Sequence, residues 1–396
     1  MTPKITIVVP GRWHAFDLAR ELERLGALHR IVTTYPRSRL RGWGIPDEKI
    51  ISLPLSLVLA RLAWKIGGQK LAMRQQYRIN SFFASRAARN MGCPDLIHAW
   101  SGTAEPSLLV ARARGIPTVL ERSSSHMLEQ CRILQEEHDL LGLKWEATPQ
   151  ATVKRELREY ELAARVFVPS LFVERSFLAR GFPANRLYRN GFGVDVSCFT
   201  TGQKEDSVFR VVYAGALSAR KGLHYLVRAF KEANISNCEL LLVGGDTPET
   251  DQLIGETDSR IRRVGHVPQS ELPGIYRSSS VFAMASLEEG QAYVQAQALA
   301  CGLPLICTTN TGGEDLLALG SNGRPIELGV LEFDAGYVVP PRSTAAFASV
   351  FRRLANDSKK LAAMISATAA IVRKDISWRR YAEKCIAQYA LIQYNA

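Results

Sequence analysis

Two segments of this 396-residue chain bring together side chains suited to a phosphorylated, hydroxyl-rich ligand. The first is VVYAGALSARKGLHYLVRAF, residues 211–230. A β-branched run ends in a short loop carrying Gly215, and Arg220 and Lys221 then stand at the start of a segment with helical period. Free amides at a helix start, the helix dipole and two cations together suit a phosphate. A solvated surface turn is the plainer alternative. The second segment is MASLEEGQAYVQAQALACGLPLICTTNTGGEDLL, residues 284–317. Glu289 precedes Gly290 at a strand-to-helix turn, and Gln297 follows eight residues later, about 12 Å along a helix that rises 1.5 Å per residue. A carboxylate that accepts from sugar hydroxyls and an amide that reads a ribose make a reasonable pair at the two ends of a long polar ligand. Alternatively, Glu289 complements a helix dipole. The TNTGGED run adds backbone amides near strand ends, where open α/β sheets bind ligands.

The elements that must position these residues alternate along the chain. Short β-branched runs ending in Gly or Pro are followed by segments of helical period, the pattern of parallel sheets with crossover helices. In the first half the pattern runs through Lys4–Val9, HAFDLARELERLG, ALHRIVTT, PDLIHAW and IPTVLER. It restarts with FRVVYAG and continues through CELLLVGG, IRRVGHV, VFAMAS, LPLICTT and GYVVPP. Periodicity is lost near residues 195–207, so two doubly wound domains are expected, at 1–200 and 201–375. A final helix at 376–396, containing ISWRRYAEKCIAQYALIQY, is placed to pack back on the first domain. No GxxxxGK[ST] loop occurs, and PGRWHAF after the first strand lacks the glycines of a dinucleotide fingerprint, so hydride transfer is disfavoured.

A chain with 46% hydrophobic and 22% charged residues is neither disordered nor fibrous, and its length exceeds one comfortable core. Its seven cysteines are dispersed without a CxxC pair, which points to a reducing, cytosolic compartment. No signal peptide or spanning segment is expected. The net charge of +12 is uneven: residues 1–200 carry 29 Lys/Arg against 18 Asp/Glu, whereas the remainder carries 21 against 20. Eleven of the basic residues fall within 37–89, opposed only by Asp47 and Glu48. Such a surface suits a polyanion or an anionic bilayer. Nucleic acid is a poor match, because no recognised binding module is present.

Taken together, VPSLFVERSFLARG, NGFGVDVSCF, YAGALSARKG, GHVP, SLEEGQAYVQAQALACGLP and the terminal helix with ISW resemble glycosyltransferase family 4, in order, in spacing and over nearly the whole chain. The resemblance implies a GT-B fold: two Rossmann-like α/β domains facing a cleft, with the C-terminal helix crossing back to the first domain. It also implies retaining transfer of a sugar from a nucleotide diphosphate sugar, without a metal or other cofactor. Arg220 and Lys221 would hold the donor diphosphate and stabilise the charge that develops as the nucleotide departs. Glu289 would match the first carboxylate of the family's E-x7-E motif, beside the transferred sugar. Gly290, Gln291 and Ala292 would present backbone amides to the donor. Gln297 replaces the motif's second Glu, and Ala216 stands where many members carry Arg. Gly11 and Arg12 would approach the donor phosphates, His14 would line the cleft on the acceptor side, and His126 would stand beside the transferred sugar. A double-displacement glycosidase would need two close carboxylates, and Glu289 alone qualifies.

The stretch ISLPLSLVLARLAWKIGGQKLAMRQQYRI, residues 51–79, mixes Leu, Val, Ile and Trp64 with Arg61, Lys65, Lys70 and Arg74. It reads as an interfacial element that offers the acceptor cleft, with Trp64 near it, to a lipid-linked or surface-bound glycan; a core-packing helical hairpin is the alternative. The resulting expectation is a cytoplasmic enzyme of surface glycan or glycolipid synthesis, peripheral on the inner face of the plasma membrane. Two rivals share these features. One is a nucleotide-sugar epimerase or hydrolase of the same shape; the other is a non-catalytic polyanion-binding protein with a degenerate donor site.

Overall fold

The computed structural model describes residues 2–195, 197–256, 258–374 and 376–394, so position 375, the expected limit of the second domain, lies outside it, as does the side chain of Lys70. Two sheets organise the chain. The first is wholly parallel and contains β1 (Ile5–Val9), β2 (Leu28–Thr33), β3 (Ile50–Ser52), β4 (Leu96–Trp100), β5 (Thr118–Glu121), β6 (Arg165–Val168) and β7 (Leu187–Arg189), in the order β3-β2-β1-β4-β5-β6-β7. The second contains β8 (Phe209–Ala214), β9 (Cys238–Val243), β10 (Ile261–Gly265), β11 (Val281–Met284), β12 (Leu305–Thr308), β13 (Arg324–Pro325), β14 (Leu331–Phe333) and β15 (Gly336–Val339). Its order is β10-β9-β8-β11-β12-β15-β14-β13, and only β14 runs against the others, pairing antiparallel with β15 and β13. Strands such as ITIVV are buried along their whole length, as a central parallel strand covered by helices on both faces must be. Strands β3, β6 and β7, absent from the sequence reading, have only three or four residues and therefore show too little alternation to detect.

The strand order reverses between β1 and β4 in the first sheet and between β8 and β11 in the second. Crevices open at the carboxyl ends of such switch points. Helix Trp378–Tyr394 returns from the second domain, and its Trp378, Tyr381, Tyr389 and Ile392 join Phe16, Leu18 and Leu22 in one buried cluster of the first domain. The segment Leu55–Ala88 is two helices joined at Gly67–Gly68, where Gly68 has φ +61. Glycine adopts that conformation at no steric cost.

Candidate active site

The carboxyl ends of both switch points face one cleft. One part of it, of about 560 Å³, is lined by Gly215, Ala216, Lys221, Glu289 and Gln291 of the second domain and by His14, Ser101, Arg122, Ser124 and Glu156 of the first. A second part, of about 810 Å³, shares Trp13, His14, Tyr293 and Val294 with it and extends to Arg12, His266 and Gln297. Of the sequence-predicted residues, Gly215, Lys221, Glu289, Gln291 and Ala292 line the first compartment, Arg12 and Gln297 the second, and His14 both.

Lys221 ends a single 3-10 turn, and Gly222 follows with φ +63. A Cβ at Gly222 would lie 2.0 Å from the Ala285 carbonyl oxygen, so only glycine lets this turn press against the end of β11. The packing brings Lys221 Nζ into direct contact with Glu289 Oε2. Burial and the adjacent Arg220 charge push the lysine ammonium down to about 7. Arg220 is turned toward Glu288: its Nε donates to the Glu288 carbonyl at 3.0 Å, and its Nη2 lies 2.9 Å from Glu288 Oε2.

Glu288, absent from the sequence reading, joins the two domains. It is fully buried and accepts from the Ser125 amide at 3.0 Å, from Ser125 Oγ at 2.8 Å and from Gln130 Nε2 at 3.0 Å, all in the first domain. Burial opposes its charge, yet the Arg220 charge and the Ser125 hydrogen bonds outweigh burial and lower its pKa. The Glu288–Glu289 doublet was visible in the sequence, but nothing there distinguished a cross-domain tie from a cleft carboxylate. Gly290 belongs to the same closure: a Cβ would meet the Ser123 carbonyl oxygen at 1.7 Å, and the Gly290 carbonyl accepts from Ser170 Oγ at 2.6 Å.

The structure places several of the expected contacts elsewhere. The Ala292 N–H donates to the Thr311 carbonyl at 3.2 Å and is therefore already engaged within the second domain. Gln291 lines the cleft, and its side chain accepts from the Phe192 amide. His126 lines neither compartment. It precedes helix Met127–Leu141, and its Nδ1 accepts from the Leu128 amide at 3.3 Å, as an N-cap does. Its ring packs between Tyr160 and Phe177, and burial with Arg122 and Arg180 pushes its pKa down to about 4. Trp64 likewise lines neither compartment; it is 57% exposed on the Leu55–Ala88 segment. Gly11 borders a separate side pocket, and Arg12 stacks 4.6 Å from the Trp43 ring centre.

His14 does reach the cleft, and a buried network holds it there. Its Nε2 is 3.2 Å from Glu121 Oε1, while the other Glu121 oxygen meets His98 Nε2 at 3.0 Å and the Tyr381 hydroxyl at 3.2 Å. Burial opposes the Glu121 charge, but His14 and His98 hold the carboxyl down to about 2. The C-terminal helix therefore helps set a side chain of the cleft. Arg122 and Glu156, also missed from sequence, form a 2.7 Å ion pair on the first-domain wall. They come from the residue just after β5 and from helix Gln150–Leu162, and no local motif joins them. At the far end of the cleft, the Gln297 side-chain Oε1 is buried without a hydrogen-bond partner. Buried acceptors are rarely left so.

The two facing doubly wound sheets with a returning C-terminal helix define a GT-B fold. Residues 208–357, most of the second domain, match the family model of glycosyl transferases group 1. Among curated relatives, the chain is 26% identical over 190 residues to O-antigen chain mannosyltransferase B of Escherichia coli, covering 46% of this chain and 45% of the relative. It is 30% identical over 130 residues to the capsular polysaccharide biosynthesis glycosyltransferase CapM of Staphylococcus aureus, covering 31% and 33%. The chain thus spans less than half the length of each. Among solved structures, sucrose-phosphate synthase from Thermosynechococcus elongatus is similar over 100% of both chains, with TM-score 0.72 and 18% identity. Anabaena HepE in complex with UDP-glucose is similar over 98% of both, with TM-score 0.66 and 17% identity.

Proposed function

We propose that this chain is a retaining, metal-independent glycosyltransferase that moves a sugar from a nucleotide diphosphate sugar to a glycan or lipid-linked acceptor during surface polysaccharide or glycolipid synthesis. One observation carries the reading: Lys221 and Glu289 touch inside the cleft, with the unpartnered Gln297 Oε1 in the adjoining compartment. A diphosphate placed at Lys221 and Arg220 favours the charged ammonium and stabilises the leaving nucleotide. Glu289 then accepts from a hydroxyl of the sugar being moved, and Gln297 meets the ribose. The acceptor oxygen bonds the anomeric carbon on the face from which the diphosphate departs as the bond from that carbon to the phosphate oxygen breaks, and the freed phosphate oxygen takes the acceptor hydroxyl's proton, so no protein nucleophile is required. The relatives named for O-antigen and capsular polysaccharide support the product class. The neighbour solved with UDP-glucose supports the donor class.

An anionic membrane surface, engaged through residues 37–89 on the cytoplasmic side, presents the acceptor in this reading. No helix among the described residues is long and apolar enough to cross a membrane. The segment beginning at Leu55 instead exposes Leu55, Val58, Leu62, Trp64 and Ile66. Arg61 and Lys65 stand exposed among them. The test is nucleotide release from a panel of UDP and GDP sugars with crude glycolipid acceptor in EDTA, with the product's anomeric configuration read by NMR. Release that persists in EDTA with retained configuration is expected. Activity that appears only on adding Mg²⁺ or Mn²⁺, or an inverted product, overturns the metal-independent retaining reading.

A further inference from the structure

A side pocket of about 210 Å³ lies beside the cleft, between the loop after β1 and the Leu55–Ala88 segment. Its walls include Leu57 and Ala60 from the first half of that segment and Ile79 and Phe83 from the second. In a straight helix Leu57 and Ile79 would stand about 33 Å apart at 1.5 Å per residue. They share one pocket because the chain reverses at Gly67–Gly68. The hairpin alternative considered from sequence is therefore correct in shape, yet its two arms enclose space instead of filling it.

Three features give the pocket a direction. At its inner end it shares Trp13 and Asn80 with the compartment that contains Lys221 and Glu289. Trp13 is held at φ +31, an unusual conformation for a residue with a side chain, and it borders the pocket and both compartments of the cleft. Along the pocket the lining is mostly apolar, but Ser56, which is 4% exposed, has a buried hydroxyl without a partner, and Gln76 donates to Asn80 at 2.7 Å. Outside it, the same first arm carries the exposed Leu55, Val58, Leu59 and Leu62. Asn80, shared with the cleft, the apolar lining, and the apolar and basic outer face of the first arm together give the pocket an amphiphilic character.

We infer that this pocket holds the neck of an amphiphilic acceptor: the oxygen-rich linkage lies against Ser56 and Asn80, and the hydrocarbon chain runs past Leu57, Ala60, Ile79 and Phe83 toward the membrane-facing arm. The inference rests on the transferase reading for its acceptor, and it selects lipid-linked over free glycan. The pocket itself can be tested without turnover. Calorimetry on the full chain compares n-octyl β-D-glucoside, below its micelle concentration, with methyl β-D-glucoside. The octyl compound is expected to bind and the methyl compound not. Ala60→Trp, which fills the passage, and Leu57→Gln, which makes it polar at nearly constant size, should each weaken octyl binding at least about tenfold, the change expected from roughly two methylenes left unburied. Leu57→Gln serves if Ala60→Trp fails to fold, as judged by its melting transition. Octyl and methyl glucosides that bind alike, or folded variants that bind the octyl compound like the parent, overturn the proposal. Failure of the transferase reading registers separately, as absence of nucleotide release from sugar donors in samples that still bind the octyl glucoside.

Discussion

The two walls of the cleft differ in how the chain builds them. On the second-domain wall, the functional side chains fall in two short stretches, 215–221 and 289–297, each a strand end, a turn and the start of a helix. Their relative positions follow from local geometry: Gly222 fixes the turn that seats Lys221, while Glu289 stands in the turn before helix Tyr293–Ala300, which carries Gln297, so the eight residues between them are only partly helical. On the first-domain wall, His14, Ser101, Arg122 and Glu156 come from the ends of three strands and from a separate helix. Only the assembled sheet brings them together. A wall made of local motifs can be read from sequence, whereas a wall made of topology cannot.

The largest expected effect falls on the locally built wall. Lys221→Ala should raise the barrier to transfer by about 2–4 kcal/mol, the usual loss for one preorganised charge at a developing oxyanion, while the melting transition is retained. Steady-state kinetics with the intact donor measures it. The same residue gives a pH dependence whose sign is fixed. Its ammonium is depressed to about 7, so the cation is present below that pH and lost as pH rises through it. Donor kcat/KM should therefore decline above pH 7, by up to about tenfold per unit, and Lys221→Arg should flatten that decline. A flat profile in the parent, or unchanged turnover in Lys221→Ala, would remove this wall's advantage.

Much of the fold was legible for the same reason the second wall was. Long apolar runs such as ITIVV and CELLLV mark central strands, and the loss of periodicity near residue 200 falls between the last strand of one sheet and the first of the next. What stayed hidden depends on partners distant in sequence. Nothing near Glu288 announces that Ser125 and Gln130 would meet it from more than 150 residues away. The mistaken role for His126 has the same origin, because a histidine just after β5 has the right address for the cleft, yet its ring turns inward between Tyr160 and Phe177. The Leu55–Ala88 segment shows apolar and basic side chains together in sequence, but the pocket between its arms follows from a break at two glycines that looks in sequence like a mild interruption.

An intermediate effect is expected at Gln297, which sharpens the reading of the second wall. Its buried side-chain Oε1 has no protein partner and faces the larger compartment. If it meets a ribose hydroxyl, Gln297→Leu should weaken binding of the free nucleoside diphosphate by about 1–3 kcal/mol, because a buried hydroxyl then loses its partner. Gln297→Glu should bind as well or better, since a carboxylate can accept from both ribose hydroxyls. Calorimetry separates these outcomes from a packing role, under which leucine would be harmless and glutamate costly.

The smallest effect on turnover is expected at His126, and it is the sharpest check on the comparison itself. If the ring caps helix Met127–Leu141 and fills space beside Tyr160 and Phe177, His126→Ala should cost stability and leave chemistry alone. Loss of one N-cap is worth about 1 kcal/mol, or a melting decrease of roughly 2–4 °C for a domain of this size. His126→Asn retains a side-chain acceptor for the Leu128 amide and should recover part of the loss. Neither variant should change kcat/KM beyond twofold at a temperature where both are folded. A large fall in kcat with an unaltered melting transition would mean that the histidine swings into the cleft during the reaction. The first wall would then have been legible by position along the chain, and the contrast between the walls would fail at the residue where it is clearest.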